Sequence, residues 1–96
     1  MLRHVVLLTL DEKVTDDERA SLRDALRELP SLIPEIKSYS VGLDAGLNER
    51  NADIAVVGDF EDAAGFQTYV DHPEHIRVGT RMMKVATKAI RVQYEL

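Results

Sequence analysis

Residues 60–79 read FEDAAGFQTYVDHPEHIRVG. This stretch holds both phenylalanines, one of the three tyrosines and two of the three histidines of the 96-residue chain. Ala63, Phe66, Tyr69 and Val70 recur at helical spacing, which predicts a helix over 61–71 with one apolar face. Pro73 stops that helix, because proline has no amide hydrogen to donate. Its fixed φ also pre-sets the first turn of a second helix. Asp71 or His72 is the expected cap, with Glu74 near the positive end of the new helix dipole. The same dipole end disfavours a cationic imidazole, so His75 is expected neutral and able to accept a proton. Tyr69 precedes the break by about one turn, and its phenol can donate or accept. A neutral imidazole beside a phenol makes a candidate base with a candidate oxyanion partner. The same spacing also fits two interfacial packing residues with satisfied polar tips, and by spacing alone that plainer reading is favoured.

Working outward, the chain is long enough for one domain over residues 1–96, with a core small enough that a second copy would add to its stability. A net charge of −5 argues against a surface for nucleic-acid phosphates, which needs clustered cations. Cysteine is absent, which excludes disulfides, thiol catalysis and thiolate metal sites and fits a reducing compartment. The longest apolar run, Val5–Leu10, is far short of the ~20 residues of a membrane span. It starts too early and runs into Asp11 and Glu12, unlike a signal peptide. A cytoplasmic protein without a membrane partner is expected.

Leu2–Leu10 reads as a strand apolar on both sides in its middle, as in a central strand covered on two faces. His4 shares a side with Val6 and Leu8, where a lone histidine is usually a tucked, hydrogen-bonded residue. Thr15 and Glu18 form a capping-box pattern that starts a helix. Leu22, Ala25, Leu26 and Leu29 give its buried stripe, Arg19, Arg23, Asp24, Arg27 and Glu28 its solvated face, and Pro30 its expected end. Ile36–Leu43 is a second strand, mixed on one side and suited to an edge. A polar hairpin connection follows over 44–51. Ile54–Phe60 is a third strand, again apolar on both sides, and Gly58 within it marks a bulge or a close backbone approach. The last helix is expected to bury Ile76, Gly79, Met83 and Val85–Ala86. Ala89–Leu96 closes the chain as a strand, with Ile90, Val92, Tyr94 and Leu96 on one side.

The order is β-α-β-β-α-β, with the second helical segment broken in two: an α+β, ferredoxin-like pattern with a four-stranded antiparallel sheet. The two inner strands are the first and third, the pair apolar on both faces. Helices cover only one face of such a sheet. The other presents Val5, Leu7, Ala55 and Val57 beside polar edge residues, at a cost of roughly 25 cal/mol per Å² if left wet. A second sheet from an identical chain is the expected cover.

The opening His4-Val-Val-Leu-Leu-Thr-Leu10, the run from Phe66 through Tyr69-Val70-Asp71-His72-Pro73-Glu74-His75 to Gly79, and the element order resemble the stress-responsive A/B barrel, or Dabb, family over nearly the whole chain. The resemblance implies a dimeric α+β barrel built from two ferredoxin-like sheets. Plant members include stress-induced proteins and a polyketide cyclase that performs an intramolecular aldol condensation. In that cyclase the motif's tyrosine and second histidine carry the chemistry, which implies Tyr69 and His75 here. Its first-strand histidine matches His4, while Ile54 stands where the cyclase has a further pocket histidine. Under the resemblance the pocket lies between helices and sheet, lined by His4, Val6, Leu8, Ile54, Val56, Phe66, Tyr69, Ile76 and Met83. Such a lining suits a small, largely apolar ketide-type ligand. The implied chemistry is cofactor-free proton abstraction next to a carbonyl by His75, with Tyr69 stabilising the enolate or holding the base.

Two alternatives stay open on sequence: a non-catalytic dimer that binds a small molecule or has a filled core there, and a cofactor-free monooxygenase or isomerase of a related barrel. His72 and His75 fall on either side of the helix break, and with no cysteine present no metal site is expected. Arg77, Arg81, Lys84 and Lys88 follow a helical stripe, read as a solvated basic face.

Overall fold

In the computed structural model, which describes residues 1–96, seven elements follow one another: β1 (Leu2–Leu10), α1 (Asp16–Leu32), β2 (Ser38–Leu43), β3 (Ile54–Phe60), α2 (Ala63–Asp71), α3 (Pro73–Met83) and β4 (Ala86–Glu95). The strands form one antiparallel sheet in the order β2-β3-β1-β4, the ferredoxin-like topology with a divided second helix. β1 and β3 are the inner pair, in register from Leu2 opposite Phe60 to Leu8 opposite Ile54.

The helices lie over the face formed by Leu2, His4, Val6, Leu8 and Leu10 of β1 and Ile54, Val56 and Phe60 of β3, all buried. Leu22, Leu26 and Leu29 of α1, Tyr69 of α2 and Val78 and Met82 of α3 meet them in one core. Thr15 caps α1 by accepting from the Glu18 amide at 3.2 Å, and Asp62 caps α2 by accepting from Gly65 at 2.8 Å.

Several boundaries and faces differ from the sequence reading. Pro30 does not end α1, which runs on to Leu32. Leu29 and Ile33 are completely buried, and the Ile33 amide reaches the Leu29 carbonyl at 2.9 Å. Packing of those two side chains outweighs the hydrogen bond that proline denies to the preceding turn. Arg27 is exposed, as expected, but its guanidinium is engaged. It donates to the Val41 carbonyl at 3.0 and 2.7 Å, tying α1 to the open edge of β2. β2 starts two residues later than Ile36, α2 starts at Ala63 with that alanine exposed, and β4 begins at Ala86. Gly58 makes no bulge, since β3 keeps register on both sides. A Cβ there would stand 3.0 Å from the Tyr39 ring, so this glycine admits a close side chain.

α3 is rotated from its expected orientation. Val78 and Met82 face inward, while Ile76 and Met83 are 53% and 56% exposed. Two apolar stripes are available on this helix, and the one that also carries His75 is the one that packs. The basic stripe is not helical throughout, because α3 ends at Met83 and Lys88 lies in β4. Arg77 pairs with Glu74 at 2.9 Å and Arg81 bonds Ser21 at 2.7 Å.

The opposite sheet face has no helix over it. Besides Val5, Leu7, Ala55 and Val57, it carries Ile90, Val92 and Tyr94 of β4, which the register sets opposite Leu7, Val5 and Arg3. Leu7, Ile90, Val92 and Tyr94 are each 40–52% exposed. One edge of this face is therefore apolar rather than polar. At its end Arg3 grips Asp59 through Nε at 2.8 Å and Nη2 at 2.9 Å, and Ser38 donates to the same carboxylate at 2.8 Å. The Arg3 guanidinium holds the Asp59 carboxyl down at about 2.

Candidate functional site

A cavity of about 360 Å³ opens between the helices and the covered face of the sheet. Every element contributes to its wall: His4, Val6 and Leu8 from β1, Leu26 from α1, Tyr39 from β2, Val56 from β3, Phe66, Tyr69 and Val70 from α2, His75, Val78, Gly79, Met82 and Met83 from α3, and Arg91 from β4. Most of the wall is apolar, and the polar groups are two imidazoles, two phenols and one guanidinium.

The break between α2 and α3 sets the geometry of the motif. His72 caps α3, its Nδ1 accepting from the Glu74 amide at 3.1 Å. It is thereby a structural residue, and the chain turns so that Tyr69 and His75 come together with ring centroids 4.3 Å apart. Nδ1 of His75 lies 3.2 Å from the Val70 carbonyl. A carbonyl can only accept, so this nitrogen carries the proton and Nε2 keeps its lone pair. Burial lowers the His75 pKa, against the opposing pull of the Val70 carbonyl, with Arg91 and His72 adding to the lowering. The imidazole is therefore neutral at pH 7, with burial the largest cause.

Tyr69 is 2% exposed and its hydroxyl lies 2.7 Å from the Tyr39 hydroxyl. Its phenol thus engages a second phenol, while the His75 imidazole is held by a backbone carbonyl. Burial raises the pKa of both tyrosines, so both are protonated donors at neutral pH. When Tyr39 donates to Tyr69, the Tyr69 proton is free for an oxygen in the cavity. His4 is buried and takes a hydrogen bond from the Gln93 amide at 2.8 Å, packed against Phe66 at 4.8 Å. Burial, then His75 and Arg91, lower its pKa to about 4.

Of the residues expected to line the pocket, His4, Val6, Leu8, Val56, Phe66, Tyr69 and Met83 do so, and His75, expected to act there, joins them. Ile54 and Ile76 do not. Ile54 is sealed in the core at 1% exposure, opposite Leu8 and Leu43, and Ile76 points away with the outer face of α3. Sequence reading missed Tyr39 and Arg91. Tyr39 alternates with Val41 and Leu43, which marks the inner side of β2. Arg91 had no such signal, because it falls on the polar side of β4. A second, more open depression of about 450 Å³ runs along the β2–β3 connection. Its polar groups serve the fold: Asp44 takes a bond from Asn51 at 3.0 Å and Asp53 from the Leu10 amide at 2.7 Å.

The family model for the stress responsive A/B barrel domain matches residues 2–96. The chain belongs to the Dabb family. Among solved structures, a dimeric ferredoxin-like protein of unknown function from Thermobifida fusca is 37% identical, with a TM-score of 0.91 over 99% of this chain and 90% of that one. A dimeric protein of unknown function and ferredoxin-like fold from Bacteroides fragilis is 28% identical, with a TM-score of 0.88 over 99% and 95%. The hydroxynitrile lyase of Passiflora edulis is 17% identical, with a TM-score of 0.87 over 99% and 92%, a likeness of fold alone. No curated protein matches the chain. The Dabb chain has no helix long and apolar enough to cross a membrane.

Proposed function

We propose that this Dabb chain acts as a homodimer whose protomers each perform proton transfer at a carbon next to a carbonyl, on a small and largely apolar molecule. The observation that carries the reaction is the His75 contact with the Val70 carbonyl. It leaves a neutral imidazole with an open Nε2 in an apolar cavity, beside a buried phenol. Nε2 takes the proton from carbon and the electron pair moves onto the carbonyl oxygen. The Tyr69 hydroxyl, backed by Tyr39, donates to that oxygen as charge develops. The enolate carbon then takes the proton back, or attacks a second carbonyl of the same molecule. In the second case a carbon–carbon bond forms and His75 returns its proton to the new alkoxide. Proton transfer of this kind requires no cofactor.

The dimer is supported by the bare apolar face and by the dimeric relatives. Joining two such faces would bury Val5, Leu7, Ile90 and Val92 from each copy.

The test is deuterium uptake from D2O at the carbons flanking the carbonyl of 4-phenyl-2-butanone, followed by NMR. Exchange faster than in buffer is expected, with at least about a hundredfold loss in His75→Ala, as for a general base. A wild-type rate equal to buffer, or full activity in His75→Ala, would overturn the reading.

A further inference from the structure

The cavity wall carries one full charge, and the proton-transfer chemistry does not use it. Arg91 stands at the rim, on the inner face of β4, where the register sets it opposite Val6 and two residues from the Gln93 that holds His4. Six of the other arginines are engaged: Arg3 with Asp59, Arg19 with the Val14 carbonyl, Arg23 with Asp24, Arg27 with the Val41 carbonyl, Arg77 with Glu74 and Arg81 with Ser21. The Arg91 guanidinium has neither an ion pair nor a hydrogen bond within the chain. Arg50 shares that freedom, but it sits in the exposed β2–β3 connection and does not line this cavity.

The lining contains no aspartate or glutamate. Both histidines of the wall are held neutral by burial. Nothing in the cavity therefore balances the guanidinium, and nothing in it repels an anion. The chain as a whole carries −5, so its long-range field discourages anions, and only a short-range contact can select one. A guanidinium presents a planar fork of N–H donors that matches a carboxylate with two parallel hydrogen bonds.

We propose that Arg91 is a specificity-determining residue that selects ligands bearing a carboxylate. The apolar body lies along Val6, Val56 and Phe66, and the acid end meets Arg91 at the mouth. This deepens the reading of the cavity as a ligand site and rests on it. The preferred ligand becomes an amphipathic acid, such as an oxo acid with a hydrocarbon or aromatic body, and a neutral ketone binds the same cavity less tightly. The carboxylate lies at the rim, where it stays partly hydrated, and the carbonyl lies deeper, between Tyr69 and His75.

The experiment compares 4-phenylbutanoate with its neutral counterpart 4-phenylbutanamide, titrated by NMR into the wild type, Arg91→Gln and Arg91→Lys. Wild type is expected to bind the acid about tenfold more tightly than the amide, as a charge-assisted pair supplies. Arg91→Gln loses that preference while its amide affinity stays the same, and Arg91→Lys keeps part of it. Added salt narrows the wild-type preference. Equal affinities in the wild type, or a preference that survives Arg91→Gln, would overturn the role of Arg91 and leave the cavity a ligand site. Failure of both probes to shift any cavity residue would overturn the ligand-site reading and this proposal together.

Discussion

Replacing Tyr39 by Phe removes one oxygen from the floor of the cavity and leaves the ring that packs there. The Tyr39 and Tyr69 hydroxyls are 2.7 Å apart, a full-strength O–H···O contact. Tyr69 is 2% exposed, so in Tyr39→Phe its hydroxyl loses its only partner in the chain. A buried polar group left unpaired costs about 1–3 kcal/mol. The cavity beside it holds about 360 Å³, room for water to take the vacated place, which sets the expectation at the low end. Tyr39→Phe should thus destabilise by about 1–1.5 kcal/mol, and Tyr69→Phe by a similar amount. The double variant orphans nothing, so it should lose clearly less than the sum, with a coupling of about 1 kcal/mol. Urea titrations of the four proteins at one protein concentration measure this, with unchanged slopes showing that the denatured state is the same. Costs that add to within about 0.3 kcal/mol would mean that the two phenols do not interact, and the backing of Tyr69 by Tyr39 would fall.

Stability should also rise between pH 4 and pH 6.5. His4 has its folded pKa lowered to about 4 from 6.5 by burial, so across that window the unfolded chain binds a proton that the folded chain refuses. The contribution is complete above 6.5 and lost as the pH falls through 4, with a ceiling of about 3.5 kcal/mol at about 1.4 kcal/mol per unit. His75, shifted the same way, adds to it, whereas Asp59 contributes loss only between the ordinary carboxylate range and about 2. Urea midpoints equal at pH 4.5 and 7.5, or an unaltered profile in His4→Gln, would contradict this. Val92→Asp places a charge in the middle of the bare face, opposite Val5, and should turn a dimer into a monomer by light scattering at micromolar concentration. A wild type already monomeric there would remove the dimer proposal.

The helix–break–helix unit was legible because its cause is local. Proline cannot continue a helix and is welcome at the start of the next, so Asp71-His72-Pro73 fixed the boundary between α2 and α3 to the residue. The inner strands were legible for a similar reason. Side chains apolar on both sides of β1 and β3 belong in the middle of a sheet, and strand order followed from the element order. Pro30 shows the limit of local rules, since the burial of Leu29 and Ile33 carried α1 past it.

Periodicity alone settled the existence of the faces but not their direction. α3 has two overlapping apolar stripes, and only its contact with the rest of the core turned Val78 and Met82 inward and left Ile76 outside. β4 shows the same more sharply. Its apolar side points away from the helices and its polar side, with Arg91 and Gln93, points toward the cavity, because pairing with β1 sets Gln93 opposite His4. A strand's alternation is a property of the chain by itself, whereas the face it turns to a neighbour is a property of register, which is fixed by partners distant in sequence. For that reason the Tyr69–His75 motif could be read from residues 60–79, while the phenol that supports it and the cation at its mouth emerged only when four strands and three helices were assembled.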